Sequence, residues 1–181
     1  MISLKSTVTI KLLTYFFLNP KESLYVNELS TKFGLDKRNL VKKLKELESE
    51  GILRSQARGN LKLYAINQKY SLYKEYKKIV GKTLGLEANL KELLLTIKGV
   101  RQAYIYGSYA ANNLNAHSDI DLLVIGSHSI VELQRAVSKL QREIDREINT
   151  VNMGESEFRK RKKSRDPFLS NVLSGKNIRI I

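Results

Sequence analysis

The first third of the chain has the apolar spacing of helices. Apolar residues recur on one helical face across residues 7–18, and the pattern stops at Asn19-Pro20, because a residue before proline is disfavoured in the helical region. A shorter segment, residues 26–33, has the same spacing and is followed by Gly34, which can adopt the left-handed conformation that ends a helix. The sequence therefore predicts two helices here.

A third helix and a hairpin follow these two helices. Asp36 is placed to cap a helix that carries a core-facing leucine stripe and ends at Glu50. Residues 52–54 and 61–66 then alternate between apolar and polar side chains, and Gly59 lies in the turn between them. This pattern predicts a helix followed by a two-stranded hairpin.

The order of three helices and a basic hairpin resembles the winged helix-turn-helix of bacterial and archaeal transcription regulators, over roughly residues 5–68. The resemblance implies that the third helix enters the major groove of double-stranded DNA and that the hairpin follows the flanking backbone. The alternative is an ordinary amphipathic helix with a solvated cationic face. The candidate DNA-binding residues are Lys37, Arg38, Asn39, Lys42 and Lys43 of the helix and Arg54, Arg58 and Lys62 of the hairpin.

The middle of the chain predicts a helical linker over residues 69–85. Its tyrosines and aliphatic residues recur at helical spacing, and Gly81 and Gly85 are expected to break the helix before an amphipathic helix over residues 86–97. The tyrosine stripe is interpreted as core or as a homodimer seam, with stacking on single-stranded bases as the alternative.

The second half carries a polar motif between two apolar strands. Residues 100–106 predict a strand, and Gly107-Ser108 follows it directly. Glycine lets a phosphate approach the backbone closely, and the serine hydroxyl can donate to it. After ten intervening residues, Asp119 and Asp121 open an apolar strand and share one of its faces. Two such carboxylates are costly unless they bind a cation, and hard oxygen ligands suit Mg²⁺ that holds a nucleoside triphosphate.

This motif is similar to the signature of the minimal nucleotidyltransferases of the DNA polymerase beta superfamily, over roughly residues 86–181. The resemblance implies a small mixed sheet flanked by helices. It further implies that Gly107 and Ser108 contact the triphosphate and that Asp119 and Asp121 are catalytic and hold the metals. Such proteins often act as antitoxins paired with HEPN-type toxins.

The third carboxylate that the resemblance implies is replaced in this chain. Residues 147–153 predict the strand that would supply it, and Asn149 occupies the aligned position. An amide cannot accept a proton from an attacking hydroxyl, so catalysis becomes uncertain. Glu147 is a substitute only if the register slips by two residues. The loop after Ser108 also has Asn112 and Asn113 where relatives often have a basic residue.

The remaining segments give weaker signals. His117, beside the acids, is interpreted as a solvated loop residue. The basic run over residues 159–165 is interpreted equally as a nucleic-acid patch or a solvated helix face. A short apolar helix ending near Gly175 and a last strand over residues 177–181 complete the prediction.

Composition narrows the class of protein. The chain has 181 residues and a formal net charge of +14, which favours a polyanionic partner, nucleic acid before membrane. It has no cysteine, which excludes disulfides and thiolate zinc sites. The apolar run near the N-terminus is too short for a membrane span and lacks a cleavage pattern, so we expect a cytoplasmic protein.

The expected fold class is α+β. We expect a winged helix-turn-helix domain over residues 1–68, the helical linker over residues 69–85 and a nucleotidyltransferase-like domain over residues 86–181. The expected function is a DNA-binding transcriptional regulator whose second domain binds Mg²⁺ and a nucleotide. The alternative is an active nucleotidyltransferase that moves a nucleoside monophosphate to a hydroxyl acceptor, with the antitoxin of a HEPN toxin pair as one such role.

Overall fold

The chain folds into two compact units of helices and strands. The computed structural model describes residues 6–83, 85–114 and 118–181. One unit is Met1–Ala88 and the other is Asn89–Ile181. Among the described residues, no helix has both the length and the apolar content needed to cross a membrane. The α+β class expected from the sequence is confirmed.

The first three helices of the first unit begin at the residues that the sequence indicates, and the first two also end there. The Asp36 side chain accepts hydrogen bonds from the backbone N–H groups of Arg38 and Asn39, which otherwise have no partner at a helix start. Gly34 ends the preceding helix with a φ of +61°. The elements are α1 Thr7–Leu18, β1 Leu24–Tyr25, α2 Val26–Phe33, α3 Lys37–Ser49, β2 Leu53–Arg58, β3 Leu61–Ile66 and α4 Tyr73–Thr83.

The first unit packs its helices on an antiparallel sheet with the strand order β1-β3-β2. Strands β2 and β3 form the expected hairpin, in which Arg58 pairs with Leu61 across the turn. Within residues 69–85, Val80 of α4 belongs to the same buried cluster as residues of α1. Helix α4 also continues through Gly81 to Thr83, so the expected break at Gly81 is wrong.

The second unit surrounds a mixed sheet with the strand order β6-β5-β4-β7. Strand β5 runs antiparallel to β4 and parallel to β6, and the helix between β5 and β6 makes the crossover that a parallel pair needs. Its elements, together with the helix that crosses the boundary between units, are α5 Leu86–Thr96, β4 Val100–Tyr106, α6 Gly107–Ala110, β5 Ile120–Gly126, α7 Ile130–Ile144, β6 Ile148–Met153, α8 Glu155–Lys163, α9 Pro167–Ser174 and β7 Ile178–Arg179.

Alternation along β5 gives the sheet two different faces. Ile120, Leu122 and Val124 are fully buried on one face. The other face carries Asp121 at its end and continues into a second apolar cluster with Leu123, where α8 and α9 cover it. The polar end of this face is the region where the sequence motif lies.

Candidate functional site

The strand register brings the polar residues of three segments together. Asp121 pairs with Tyr106 of β4 on one side and with Asn149 of β6 on the other. Asp119 lies one residue before β5, and the Asn149 Nδ2 donates to its Oδ2 at 3.2 Å. Backbone pairing of Ile120 with Ile148 fixes this register, so Asn149 lies beside the acids.

The register leaves Glu147 outside this cluster. Its backbone carbonyl accepts a hydrogen bond from the Ile120 N–H at 2.9 Å, one residue before β6 begins. The two-residue slip that would bring its carboxylate beside Asp121 is therefore absent from the described strands. The cluster consists of two carboxylates and one amide.

Gly107 packs directly against the carboxylate of Asp121. It has a φ of +71°, a conformation that glycine adopts without strain. A Cβ atom at this position would overlap Oδ2 of Asp121 and lie 3.3 Å from its Cγ. The absence of a side chain at position 107 is therefore what lets the carboxylate lie against the turn that follows β4.

Two further contacts hold the backbone that enters β5. The Ser108 hydroxyl donates to the backbone carbonyl of Asp119 at 3.5 Å. Arg146, only 7% exposed, donates from Nη1 to the backbone carbonyl of Ser118 at 2.9 Å. Arg146 could not be identified from the sequence, because nothing in the local pattern distinguishes a buried arginine from a surface one.

The electrostatics of the cluster favour a bound cation. Burial raises the pKa of Asp121, and the negative charge of Asp119 raises it further. Burial also raises the pKa of Tyr106, with a smaller contribution from Asp121. Burial is the main cause of both pKa shifts, and the negative charge at the end of β5 adds to each; a cation between the carboxylates would offset that charge.

The donor set fits Mg²⁺. The described residues include no group of three or more His, Cys, Asp or Glu side chains placed to hold a metal. Mg²⁺ is commonly held by one or two carboxylates, with phosphate oxygens and water as its other ligands. Asp119 and Asp121 supply that number, and the overlap that a Cβ at Gly107 would create shows how closely the turn approaches them.

A cavity of about 470 Å³ opens beside this cluster. Tyr106 and Gly107 line one side of it, and Phe168, Asn171 and Lys176 line the other. The rings of Tyr106 and Phe168 meet edge to face with centroids 5.7 Å apart. An aromatic wall, an amide and a cation therefore line a cavity that shares Gly107 with the carboxylate of Asp121.

The residues that the C-terminal segment contributes to this cavity were not identified from the sequence. Helix α9 begins at Pro167, with Asp166 accepting from the Leu169 N–H, so its start was readable as a cap and a proline. Its end is held by Asn177, whose side chain donates to backbone carbonyls at the end of α9. Lys176 supplies a cation near the motif, where the segment after Ser108 has none.

Some residues singled out in the sequence do not join this site. Asn112 and Asn113 are exposed, and Asn112 has a φ of +56°. His117 lies outside the described residues.

The candidate DNA-binding residues lie on α3 and the hairpin of the first unit. Lys43 forms an ion pair with Glu46 at 2.6 Å, and Lys62 forms one with Glu48 at 2.8 Å. The remaining candidates are exposed and form no ion pair with another described residue. These residues are Lys37, Arg38, Asn39, Lys42, Arg54 and Arg58.

A family model matches the second unit. Residues 88–178 match the family described as Polymerase beta, Nucleotidyltransferase. Among solved structures, the chain is similar to a toxin–antitoxin with AMP-PNP at 19% identity and a TM-score of 0.39, covering 52% of this chain and 72% of that chain.

Two other solved structures are similar at comparable identity. One is a tri-AMPylated Shewanella oneidensis HEPN toxin in complex with MNT antitoxin, at 18% identity and a TM-score of 0.35, covering 52% of this chain and 68% of that chain. The other is TrmBL2, an archaeal chromatin protein, at 17% identity and a TM-score of 0.29, covering 92% of this chain and 72% of that chain. A search of curated proteins found no match.

Proposed function

The chain belongs to the polymerase beta nucleotidyltransferase family, and from that premise we propose that its second unit binds a nucleoside triphosphate with Mg²⁺ as a sensor. We propose further that its first unit is a winged helix-turn-helix that binds double-stranded DNA, so that the protein is a transcription regulator. The domain limits proposed for these functions remain residues 1–68 and 86–181, joined by residues 69–85.

The position of Asn149 is the observation that supports a site that binds a nucleotide without transferring a nucleoside monophosphate. Its amide nitrogen faces Asp119 across 3.2 Å, and its backbone pairs with Asp121. A third carboxylate there would accept the proton of an attacking hydroxyl, and an amide does not. The cluster keeps two metal-holding acids and lacks the group that would act as base.

Different residues of the site would contact different parts of the nucleotide. Asp119 and Asp121 would hold Mg²⁺, which when bound neutralises charge on the triphosphate oxygens. Gly107 lets the Asp121 carboxylate lie against the turn after β4, and Ser108 presents a hydroxyl at the same turn. Lys176 adds a positive charge at the cavity wall.

The cavity supports a nucleoside rather than a bare phosphate as the ligand. Its volume of about 470 Å³ accommodates a base and a ribose. Phe168 presents a ring on which a base can stack, and Asn171 presents an amide that can donate to or accept from a base edge. These side chains would be unnecessary for binding inorganic phosphate.

Calorimetry tests this proposal directly. We expect wild-type protein to bind ATP or another nucleoside triphosphate in the presence of Mg²⁺. We expect Asp121→Ala to lose binding by at least tenfold, because one of the two metal-holding carboxylates is removed. Glu143→Ala, which removes an exposed acid from α7, serves as the control and should bind as wild type does. Absence of binding to any nucleoside triphosphate with Mg²⁺ would refute the sensor.

An active nucleotidyltransferase is the second candidate. The observation in its favour is the close packing of Gly107 on Asp121, which keeps the two acids beside the turn that would receive a triphosphate. In this case a hydroxyl of a nucleic acid, a small molecule or a protein such as a HEPN-type toxin attacks the α-phosphorus of the nucleoside triphosphate. A phosphate ester to the acceptor forms, pyrophosphate leaves, and the hydroxyl proton passes to solvent.

Label transfer separates the two candidates. Protein is incubated with α-labelled ATP, Mg²⁺ and candidate acceptors. Transfer by wild type that Asp121→Ala abolishes would establish the enzyme. The sensor hypothesis instead expects no transfer above the Asp121→Ala background.

A further inference from the structure

Helix α8 carries the densest positive charge of the second unit. Six of the seven residues from 159 to 165 are Lys or Arg, and all six are exposed. They are Arg159, Lys160, Arg161, Lys162, Lys163 and Arg165. We propose that this surface, the α8 basic surface, binds the phosphodiester backbone of a nucleic acid, independently of the nucleotide site.

Ion pairs within the protein leave most of this charge uncompensated. Arg161 pairs with Glu157 at 2.7 Å, and the other acid of the helix, Glu155, lies 3.6 Å from Arg101. The remaining cations of the α8 basic surface form no ion pair with another residue in the described part of the chain. Like charges one turn apart, such as Arg159 and Lys163, repel each other, so the free helix bears a cost that a polyanion would remove.

Helix α7 shows what a solvated helix of the same unit looks like. Its exposed cations Arg135, Lys139 and Arg142 are spread along a helix of fifteen residues and lie between Glu132 and Glu143. Helix α8 has only nine residues, and both of its acids lie in the first turn. Favourable interaction with the helix dipole explains a cation or two in the last turn but not a run that extends to Arg165.

The core side of α8 makes a rigid platform for this surface. Phe158 is buried and packs with Leu123, Ile125 and Leu169 on the sheet face that carries Asp121. Arg165, beyond the end of the helix, has a φ of +53°, a conformation more commonly taken by glycine or asparagine. The cations are therefore displayed from an ordered helix and the turn that follows it.

The composition of the exposed side favours a nucleic acid over an anionic membrane. An interfacial helix needs apolar side chains to insert between lipids, and the aromatic residue of α8, Phe158, faces the core instead. The helix also lacks the Asn and Gln side chains that read adenine edges, and its Lys and Arg side chains bind phosphates as well as guanine. We therefore expect contacts with phosphates and little dependence on base sequence.

The test compares two triple variants that lose the same charge from different helices. Arg159→Ala, Lys160→Ala and Lys163→Ala remove three of the six cations of the α8 basic surface. They keep Arg165, Lys162, which lies over the Phe158 ring, and the paired Arg161. The matched control combines Arg135→Ala, Lys139→Ala and Arg142→Ala on α7. Both sets are made in full-length chains that also carry Lys42→Ala and Arg58→Ala, which weakens the proposed DNA surface of the first unit.

Binding is measured by fluorescence anisotropy without nucleotide, using 20-nucleotide single-stranded RNA, single-stranded DNA and duplex DNA. We expect the α8 variant to bind all three at least tenfold more weakly than the control, with a salt slope shallower by about 2 for the single strands, since each lost contact removes about 0.7. Equal loss in both variants would show a general charge effect and overturn the proposal. If the α8 variant lost binding to anionic vesicles of phosphatidylserine but kept its binding to the three nucleic acids, the proposal would also be overturned. Unchanged binding of the α8 variant to every ligand would overturn it as well.

Discussion

The acidic site of the second unit and the cationic surface of the first unit are held in place by different means. Asp121 and Asn149 are neighbours because two strands pair in one register. Gly107 fits against Asp121 because it lacks a side chain. Lys42 and Arg58 are simply exposed on a helix and a hairpin. Backbone pairing builds the first arrangement, whereas the second depends on which side chains remain free of partners.

This difference decides how each region should respond to substitution. We expect a site whose geometry depends on strand register and close packing to lose ligand binding when a single carbon atom is added to a packed residue. A cationic surface is expected to weaken in steps as charges are removed, because each cation contributes separately to a screened interaction.

The largest effect is expected at Gly107. Gly107→Ala introduces a Cβ that overlaps the Asp121 carboxylate, at a backbone conformation that costs a non-glycine residue roughly 1–3 kcal/mol. We expect loss of nucleoside triphosphate binding in calorimetry and a lower melting temperature. The control is Gly154→Ala, where a Cβ would meet nothing within 4 Å and φ is –69°. Equal behaviour of the two variants would mean that close packing at Gly107 is unimportant.

A graded effect is expected for the first unit. The double variant Lys42→Ala, Arg58→Ala removes two exposed cations without disturbing a described ion pair. We expect weaker binding of duplex DNA and a salt slope shallower by about 1.8, since each phosphate contact on duplex DNA contributes about 0.9. Wild-type affinity that is the same at low and physiological salt would contradict DNA binding by this surface.

A smaller effect is expected where a cation already has a partner. Lys62 pairs with Glu48 at 2.8 Å, and the hydroxyl of Ser55 donates to the same carboxylate. We therefore expect Lys62→Ala to reduce duplex affinity less than Arg54→Ala, whose side chain is exposed and has no ion pair with a described residue. Titration of both single variants at one salt concentration makes the comparison, and a larger loss for Lys62→Ala would reverse it.

The smallest effect is a dependence of stability on pH. Burial raises the pKa of the Asp121 carboxyl in the folded state, so the folded protein holds this proton more tightly than the unfolded chain. The ionised carboxylate therefore disfavours folding, and this penalty grows as pH rises from about 3.9, the ordinary Asp value, through the raised folded value.

Asp121→Asn removes this penalty. In urea denaturation with EDTA, we expect its gain in stability over wild type to be larger at pH 7.5 than at pH 3.5. Glu143→Gln, at an exposed position of α7, should change stability little at either pH. A gain for Asp121→Asn that is the same at both pH values would contradict the assigned cause.

Much of the fold was predictable because local signals and tertiary packing agree. The bounds of α1, α2 and β3 match the predicted ones, and Asp36 and Gly34 act as the sequence indicates. Helix α7 was missed, although Ser129 caps it and Leu133, Val137, Leu140 and Ile144 have helical spacing. Strand β1 has only two residues, too few for a period to be visible.

In the candidate site, only the residues that strand pairing brings together could be predicted from the sequence. The spacing of Gly107, Asp119 and Asp121 on two neighbouring strands was readable, as was the alignment of Asn149 with them. Lys176 lies at the site because α9, which is distant from the motif in sequence, packs beside it. Arg146 lies there because its side chain is buried. Neither fact leaves a periodic trace in the sequence.

The most direct test of the central claim is the magnesium dependence of ATP binding in wild type and in Asn149→Asp. The wild-type site has two carboxylates and an amide, so we expect affinity to rise when Mg²⁺ replaces EDTA. Asn149→Asp adds a third carboxylate beside Asp119 and should make that rise larger. Affinity independent of Mg²⁺ in both proteins would contradict a nucleotide site built on Asp119 and Asp121.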